Sequence, residues 1–394
     1  MKNNFSIILL LIILLLVQCS HDKNQNNKIS YQLLNLPKDG EDTLNVSFFA
    51  DTIVYIPLET TIESSISFLK KVWLNDSVIL VECMRNGLLM FRRDGEFLRK
   101  IGENGRGPGE YLNILHFDVI CDTIYISSSG KKSLIRYTFD GVFCDEIKFN
   151  YPIVYFTSTP NNKLVCYLKE EGKVLVYNKN LYSPDTIIVE YGVTTDRYYY
   201  THNDPYFKPF FQKTKSSLLF NSYLSDTIWK ITDEKKEPAF ILNSINDRLL
   251  PRDKQIEFCK GNLHGWEQTA KSYQFFHFIP FSSWIFIFQN YWTEPKYDAL
   301  YLKNMKTGEI RKYNTSFIYD DIVGKQKFSF IFFIYSDDYL VAETESLKKL
   351  RDLRKAKEII NEFPLSSWIN QMRDVQEFDN PILAIIKLRK NNYE

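Results

Sequence analysis

The chain has few of the features that mark a catalytic, metal-binding or nucleic-acid-binding protein. Its net charge is only +1, so it lacks the basic surplus that a nucleic-acid-binding face requires. Its six cysteines include no CxxC pair, which excludes the common zinc and redox motifs. No GxSxG sequence is present. The five histidines occur singly, without an HExxH pattern, at His21, His116, His202, His264 and His277.

The chain has only one long apolar run, and this run lies at its N-terminus. It covers residues 5–17 behind Lys2, and about 13 residues are too few to span a bilayer as a helix. The run predicts a signal peptide over residues 1–18, and Cys19 directly behind it resembles the lipobox cysteine of bacterial lipoproteins. We expect lipid attachment at Cys19 and a polar tether over residues 19–39. Ordinary secretion with an unmodified Cys19 is the alternative.

Two stretches of the chain repeat each other at a distance of 46 residues. Asp76 and Asp122 each precede a strand-like segment, and an Asp-Gly pair follows 18 residues later in both, at Asp94 and Asp140. Asp-Gly between apolar segments is a strong hairpin signal, and we expect type I′ turns with positive φ at both central residues. A period of roughly 40 to 50 residues that consists of strands is typical of propeller blades.

Weaker versions of this pattern begin near four further residues, Asn161, Ser225, Ser283 and Phe328. Together the six repeats predict an all-β chain, a six-bladed β-propeller over residues 40–394. We expect the strand at residues 51–59 to close the ring by pairing with the last blade. Leucines and isoleucines at helical spacing predict a helical insertion in that blade at residues 345–373. Its basic side chains either bind an anionic partner or form a solvated face.

The segment "ENGRGPGEY", residues 103–111, combines three glycines and a proline. A phosphate-binding loop would continue with Lys and then Ser or Thr, and with a helix, whereas a strand pattern follows here. The segment lies between the last strand of one repeat and the first strand of the next. We therefore predict a structural turn that is formed by four residues, Gly105, Gly107, Pro108 and Gly109.

Three motifs carry a resemblance to a known family. They are "YIPLET" at residues 55–60, the "GxGPGEY" turn at residues 105–111 and "DNPILAIIKLRK" at residues 379–390. With them the chain is similar to NHL-type repeats, and more closely to the six-bladed β-propeller lipoproteins of Bacteroidota. The resemblance implies a propeller fold and a location in the cell envelope. The family has no settled activity that could be transferred to particular residues.

A loop-like segment over residues 196–212 is rich in aromatic residues. Exposed aromatic rings can stack on saccharides or peptides, which makes this segment a candidate ligand platform. The alternative is that the rings fill space between blades, as aromatic residues more often do. The candidate binding residues are Tyr198, Tyr199, Tyr200, Tyr206 and Phe207.

These observations predict a non-catalytic binding or scaffold lipoprotein that presents a propeller face to a glycan, a peptide or a protein partner. We expect it at the cell envelope, anchored by lipid to the outer membrane, without nucleic acid as a partner. No cofactor, metal ligand or catalytic residue is assigned. The alternative is a hydrolase or lyase with an acidic central channel that could hold a metal ion, for which Asp118 is one candidate among many.

Overall fold

The structure is a computed structural model. It describes residues 31–168, 173–177, 186–189, 210–214, 217–221, 226–232, 236–243, 274–281, 283–291, 297–315, 317–323, 327–329, 332–336, 338–344 and 379–390. Over these residues the chain forms thirty strands and one four-residue helix, so the all-β prediction is confirmed. Within the same ranges no helix is long and apolar enough to cross a membrane. The predicted signal peptide, Cys19 and the predicted helical insertion lie outside the described residues.

The strands form six successive blades, and the chain reaches the first blade after an N-terminal segment of three strands and a helix. This segment contains β1 (Gln32–Leu34), β2 (Leu44–Asn45), α1 (Val46–Phe49) and β3 (Ala50–Pro57). Blade 1 contains β4 (Leu69–Leu74), β5 (Val78–Cys83), β6 (Gly87–Arg92) and β7 (Phe97–Ile101). A small parallel sheet of β8 (Glu103–Asn104) and β9 (Glu110–Tyr111) follows. Blade 2 contains β10 (Ile114–Ile120), β11 (Thr123–Ser128), β12 (Ser133–Thr138) and β13 (Phe143–Lys148).

The remaining blades repeat the same antiparallel order. Blade 3 contains β14 (Tyr155–Ser158), β15 (Leu164–Leu168), β16 (Lys173–Tyr177) and β17 (Thr186–Val189). Blade 4 contains β18 (Phe210–Lys213), β19 (Leu218–Asn221), β20 (Thr227–Ile231) and β21 (Lys236–Leu242). Blade 5 contains β22 (Gln274–Pro280), β23 (Trp284–Tyr291), β24 (Tyr297–Asn304) and β25 (Ile310–Tyr313). After β26 (Phe317–Tyr319) and β27 (Lys327–Ser329), blade 6 contains β28 (Phe332–Ser336), β29 (Tyr339–Thr344) and β30 (Ile382–Leu388), with β3 as its fourth strand.

The position of a strand within its blade determines its polarity. The middle strands β5 and β6 of blade 1 are buried along most of their length, because both faces of the sheet pack against neighbouring blades. Their sequences, "VILVEC" and "GLLMFR", are accordingly almost continuous apolar runs. The outermost strand β13 of blade 2, "FCDEIK", alternates poorly and is exposed or half-buried throughout. In these two blades the sequence thus distinguishes the buried middle strands from the exposed outermost strand.

Six apolar clusters join each blade to the next within the described residues. Ile135 and Phe117 of blade 2, for example, pack with Leu80 and Met90 of blade 1. Equivalent clusters connect blades 2 and 3, 3 and 4, 4 and 5, and 5 and 6. A further cluster connects blade 6 back to blade 1. This last contact closes the ring, and the six-bladed β-propeller that the repeats predict is confirmed.

Strand β3 closes the ring in the predicted way. It pairs antiparallel with β30 over seven residue pairs, which include Val54 with Ile385 and Ile56 with Leu383. The hydroxyl of Tyr55 on β3 donates to the buried carboxylate of Asp320, 2.5 Å away. Blade 6 is therefore built from both ends of the propeller, and β3 covers the outer edge of β30.

The segment before β3 also takes part in the fold, which the sequence did not predict. β1 adds a fifth strand to blade 4 by pairing in parallel with β21. Glu41 then forms an isolated parallel bridge with Tyr313 of blade 5, and β2 pairs with β26. Structure therefore begins before residue 40, within the range that was assigned to the tether.

The hairpins occur where the Asp-Gly pairs predict them, but their turn type differs from the prediction. Gly95 and Gly141 have positive φ, whereas Asp94 and Asp140 do not. The amide of Gly95 donates to the carbonyl of Arg92, so the loop is a type I turn followed by a left-handed glycine. A type I′ geometry instead occurs at Cys121 and Asp122, where both φ angles are positive in a two-residue loop. The prediction of hairpins at the Asp-Gly pairs is thus confirmed, whereas the predicted type I′ geometry is wrong at both pairs.

Candidate functional site

The blade topology divides the loops between two faces of the propeller. Because each blade has four antiparallel strands, its second hairpin lies at the same end as the connections between blades. We call this end the connection face, and the end with the first and third hairpins the turn face. The buried hydroxyl of Tyr111 connects the second hairpin of blade 1 with the end of β7, so these two parts lie at the same end of the blade. This hydroxyl accepts from the amide of Leu88 at 3.2 Å and donates to the carbonyl of Ile101 at 2.6 Å.

The glycine-rich turn lies on the connection face between blades 1 and 2. The amide of Gly107 donates to Glu110 Oε2 at 2.7 Å, and the amide of Gly109 donates to Glu146 Oε1 at 3.2 Å. Lys131 Nζ lies 2.8 Å from the same Glu146 oxygen and 2.9 Å from the carbonyl oxygen of Gly107. Two amides that could face an anion are thus bound by carboxylates of the chain itself.

The charge of Glu146 follows from these contacts. Burial by itself would raise the pKa of the Glu146 carboxyl. Hydrogen bonds from Lys131 and from the amide of Gly109 outweigh burial and hold the pKa below its ordinary value. Glu146 is therefore an ionised, internally paired carboxylate that fixes the turn.

A second loop on the connection face, residues 59–66, joins β3 to β4 and is held by Asn380. The side chain of Asn380 accepts from the amide of Ile66 at 2.7 Å and donates to the carbonyls of Glu59 and Ser64 at 2.7 and 2.9 Å. The backbone amide of Asn380 donates to Thr60 Oγ1 at 2.7 Å. The "NP" motif of the sequence therefore fastens the closing strand to blade 1.

The same loop is braced internally by hydroxyl groups. Ser64 Oγ accepts from the amide of Thr61 at 2.8 Å and donates to the carbonyl of Glu59 at 2.8 Å. Thr61 Oγ1 accepts in turn from the amide of Ser64 at 3.0 Å. Side-chain bonds of this kind fix a loop that has no regular secondary structure. The loop between blades 6 and 1 thus has a defined conformation.

Three large apolar side chains are exposed on this rigid base, and we call them the connection-face patch: Ile62, Phe68 and Met84. Their exposed fractions are 97%, 48% and 47%. Phe68 and Met84 are neighbours, because the amide of Met84 donates to the carbonyl of Phe68 at 3.1 Å. Asn86 Nδ2 donates to the carbonyl of Ser65 at 2.7 Å, which links the β5–β6 hairpin to the loop that carries Ile62.

A polar cluster lies deeper, on the inner strands of blades 1 to 3. Lys71 Nζ on β4 donates to the carbonyl of Phe117 at 2.5 Å and lies 3.2 Å from His116 Nε2 on β10. Because an ammonium group only donates, His116 Nε2 accepts, and the ring is neutral. The His116 ring lies on that of Tyr155, with centroids 3.9 Å apart, and Tyr155 stacks on Phe211 at 5.5 Å.

The electrostatics of this cluster favour a structural layer over a catalytic pair. Burial, and then the charge of Asp118, raise the pKa of Tyr155 and keep its hydroxyl protonated. Asp118 Oδ1 itself accepts from the neighbouring amide of Val119 at 2.9 Å. Glu82 is buried beside this layer, 3.8 Å from Lys70 Nζ. The lysine, histidine and tyrosine therefore contact one another in series across three blades, and each is oriented by its neighbours.

The described residues contain no group of three His, Cys, Asp or Glu side chains that could hold a metal ion. The inner strands of blades 1, 2 and 4 carry four charged residues within the described ranges. Three are lysines, Lys70, Lys71 and Lys213, and one is an acid, Asp118. These strands thus carry more basic than acidic residues, whereas the enzymatic alternative predicts an acidic channel.

The residues predicted to form the site fall into two groups. Gly105, Gly107, Pro108 and Gly109 are described and lie in the turn between blades 1 and 2. The predicted lipid-attachment residue and the aromatic platform lie outside the described residues, and they stay predictions: Cys19, Tyr198, Tyr199, Tyr200, Tyr206 and Phe207.

Sequence reasoning missed the connection-face patch. Ile62 is a single isoleucine in the polar stretch "TTIESS", and nothing in its spacing distinguishes it. An apolar residue that interrupts a run of Ser, Thr and Glu is the only local signal. The hydrogen bond between the amide of Met84 and the carbonyl of Phe68 depends on the pairing of β4 with β5. That Phe68 and Met84 are neighbours can therefore be recognised only when the fold is known.

Comparison with known proteins identifies relatives by sequence family and by structure. Residues 33–387 match the family described as "Domain of unknown function (DUF4934)". No curated protein matches the chain. The crystal structure of a Bacteroides fragilis NCTC 9343 protein that is described as exported superposes with a TM-score of 0.67 at 16% identity, covering 92% of this chain and 99% of the other. A DUF4221 member from Bacteroides vulgatus ATCC 8482 gives a TM-score of 0.50 at 10% identity, covering 86% and 97%. At these identities the likeness concerns the fold.

Proposed function

The chain belongs to the DUF4934 family, and from this premise we propose that it is an envelope-anchored binding protein that presents its connection face to a partner. The observation that carries the proposal is the connection-face patch. Ile62 is 97% exposed on a loop that Asn380 and two hydroxyl side chains hold in place. An apolar side chain on a fixed loop loses water at little entropic cost when a partner covers it.

The polar groups of the glycine-rich turn and of the inner-strand cluster support binding over catalysis. The carboxylates of Glu110 and Glu146 accept hydrogen bonds from the glycine-rich turn, and Lys131 is paired with Glu146. The neutral His116 is in contact with Lys71 and Tyr155. These groups orient the scaffold, whereas the exposed side chains of the patch are available to a partner.

We place the protein at the outer membrane, anchored through a lipid on Cys19. The apolar run before Cys19 and the description of the Bacteroides fragilis relative as exported support this location. Replacement of Cys19 by Ala should move the protein from the membrane fraction to the soluble fraction of the cells. Retention of the Cys19→Ala variant in the membrane would contradict a lipid anchor at this residue.

A photo-crosslinking residue tests the binding function without knowledge of the partner. Introduced at Phe68, it should form a defined adduct in cells that make the protein naturally. Introduced at Leu33, which is 48% exposed on the strand that is added to the outer edge of blade 4, it provides the matched control and should form none. An identical pattern of adducts at both positions, or none at Phe68, would argue against the connection face as the binding surface.

A further inference from the structure

We propose that β1 orients the anchored protein, so that the turn face of blades 4 and 5 faces the membrane and the connection face points away from it. This inference rests on the lipid anchor at Cys19 that the proposed function includes. It goes beyond that function, because it assigns a role to β1 and gives the propeller a membrane-facing side. Three observations lead to it: the direction of β1, the place where its first residue lies, and the length of chain before it.

The direction of β1 follows from its pairing with β21. As the fourth strand of blade 4, β21 runs from the turn face to the connection face. β1 lies on the outer edge of β21 and is parallel to it, with Gln32 opposite Phe240. The amide of Asn243, directly after β21, donates to the carbonyl of Leu34 at 2.9 Å. Gln32 therefore lies at the turn-face end of β1, and Leu34 lies at the connection-face end.

A contact with blade 5 agrees with this position of Gln32. The hairpin between β24 and β25 is the third hairpin of blade 5 and thus belongs to the turn face. Gly308 in this hairpin has a φ of +76°, and a Cβ atom there would lie 3.9 Å from Gln32 Nε2. The chain that precedes β1 is therefore joined to the propeller at the turn face, where blades 4 and 5 meet.

Leu34 fixes β1 in this place. Its side chain is fully buried in the apolar cluster that blades 4 and 5 share, together with Phe240 and Ile285. The neighbouring Leu33 is 48% exposed. Because the burial of a leucine side chain is favourable, Leu34 holds the point at which the preceding chain leaves the propeller.

The chain between the anchor and β1 is short compared with the propeller. Twelve residues lie between Cys19 and Gln32, and they span about 40 Å when fully extended. As the polar linker that their composition predicts, they have an average end-to-end distance of about 20 Å. β24 has eight residues, which places the two faces of blade 5 about 20 to 25 Å apart. A membrane at the connection face would require the linker to run back along the whole blade, whereas a membrane at the turn face would not.

Without β1, the chain would first meet a blade at the opposite face. Asn314 Nδ2 donates to the carbonyl of Gly40 at 3.2 Å, and Glu41 pairs with Tyr313 at the end of β25. β25 is the fourth strand of blade 5, so its end lies at the connection face. Release of β1 would therefore lengthen the linker and move its attachment from the turn face to the connection face.

The test measures energy transfer from each face to the lipid, with the full lipidated mature chain. The protein is inserted into preformed vesicles of phosphatidylethanolamine and phosphatidylglycerol that contain a lipid with an acceptor dye. A donor dye is attached at Lys306→Cys, in the third hairpin of blade 5, or at Phe317→Cys, in the connection between blades 5 and 6; both residues are exposed. The background carries Cys121→Ser, Cys144→Ser and Cys259→Ser. We expect several-fold stronger transfer from position 306 than from position 317.

Leu34→Asp and Leu33→Asp form the matched pair that tests the role of β1. Leu34→Asp places a charge in the apolar cluster and should release β1, so the difference between the two faces should disappear or reverse. Leu33→Asp changes the exposed neighbour and should keep the wild-type difference. Urea unfolding of Leu34→Asp should stay cooperative, because β3 still closes the ring. If this variant does not fold, Leu34→Ser, which adds no charge, takes its place.

Flotation of the vesicles separates the ways in which the proposal can fail. If the wild type does not float with the vesicles, the lipid anchor fails, and the orientation fails with it. If the wild type floats but transfer from position 317 equals or exceeds that from position 306, the orientation is overturned and the anchor stands. If transfer differs as expected and Leu34→Asp leaves the difference unchanged, β1 does not set the orientation and the proposal is wrong.

Discussion

At the scale of single residues, Asn380 holds the loop between blades 6 and 1. Its amide group satisfies one N–H and two carbonyl groups of the loop that follows the closing strand. The carbonyl of Glu59 also accepts from Ser64 Oγ, so the amide of Ile66 and the carbonyl of Ser64 depend most on Asn380. Backbone groups that are removed from water are costly to leave unpaired. Asparagine is suited to this position because its side chain both donates and accepts.

Replacement of Asn380 by Ala should therefore lower the free energy of unfolding by about 2 kcal/mol, because the amide of Ile66 and the carbonyl of Ser64 lose their side-chain partner, whereas the carbonyl of Glu59 keeps its bond from Ser64. Urea unfolding followed by circular dichroism measures the effect. Asn113→Ala is the matched control, since Asn113 is exposed, and it should change stability by less than about 0.5 kcal/mol. Equal effects of the two substitutions would show that Asn380 does not hold the loop.

Buried tyrosines should make the protein sensitive to alkali. Burial raises the pKa of Tyr177 to about 12, and burial together with the charge of Glu41 raises the pKa of Tyr313 to about 12. An unfolded tyrosine titrates near 10. Because the folded pKa is the higher one, the stabilisation is complete below about pH 10 and is lost as the pH rises from about 10 to 12.

Urea unfolding between pH 9 and pH 11 should accordingly show a free energy of unfolding that declines above about pH 10. Tyr313→Phe removes one titrating group and should make the decline shallower. A free energy that stays constant to about pH 11, or an unchanged slope in Tyr313→Phe, would contradict the assignment.

At the scale of elements, the connection between blades 1 and 2 depends on glycines that leave room for tyrosine rings. Gly102 has a φ of +70°, and a Cβ atom there would lie 2.4 Å from Tyr137 Oη and 2.8 Å from Tyr111 Cε1. Both rings are fixed, since Tyr111 donates to the carbonyl of Ile101 and Tyr137 donates to the carbonyl of Gly109. The glycine is thus required for space as well as for conformation.

Gly130 offers a control that measures only the cost of placing alanine at a positive φ, without a clash. Its φ is +79°, but the nearest atom to an added Cβ, Leu112 Cδ1, is 3.9 Å away. Gly130→Ala should therefore cost about 1 to 2 kcal/mol, the usual cost of a left-handed alanine. Gly102→Ala should cost about 1 to 3 kcal/mol more because of the clash with the rings. The urea midpoints of the two variants, compared at constant m value, measure the additional cost at Gly102. Equal costs at the two positions would mean that the tyrosine rings can move aside.

The elements also show how far the sequence predicts this fold. Alternating apolar residues and Asp-Gly pairs predict the blades, because the side-chain alternation of a strand and the residues of a tight turn depend only on neighbours in the sequence. The type of turn was wrong at Asp94, since the extra residue of a three-residue loop depends on how β6 pairs with β7. The pairing of β1 with β21, about 200 residues apart in sequence, leaves no local signal at all. The connection-face patch was missed for the same reason, because Phe68 and Met84 become neighbours only after β4 pairs with β5.

At the scale of the whole molecule, we expect closure by β3 to make the six blades unfold as one cooperative unit. β3 contributes Ile53, Tyr55 and Ile56 to the interior, and β30 would have an open edge without it. β1, in contrast, adds a short fifth strand to a blade that already has four. The two strands of the same N-terminal segment should therefore differ strongly in importance.

Removal of residues 1–34 should leave a closed ring that unfolds in one transition at a lower urea concentration. Removal of residues 1–57 should leave blade 6 with three strands and an exposed apolar edge, and we expect aggregation or loss of a cooperative transition. Circular dichroism and calorimetry of the two shortened chains provide the comparison. A cooperative, wild-type-like transition without residues 1–57 would contradict closure by β3.

The central claim is that the connection face is covered by a partner in the envelope, and thiol labelling at Ile62 tests it most directly. The background carries Cys121→Ser and Cys144→Ser, since both thiols are exposed, and Cys259→Ser, since Cys259 lies outside the described residues. The rate at which a maleimide labels Ile62→Cys is then measured in native envelopes and in the purified protein, with Val142→Cys on the turn face as the reference. The account predicts that position 62 is labelled several-fold more slowly in the envelope, whereas position 142 is labelled equally in both. Equal labelling of position 62 in the envelope and in the purified protein would contradict it.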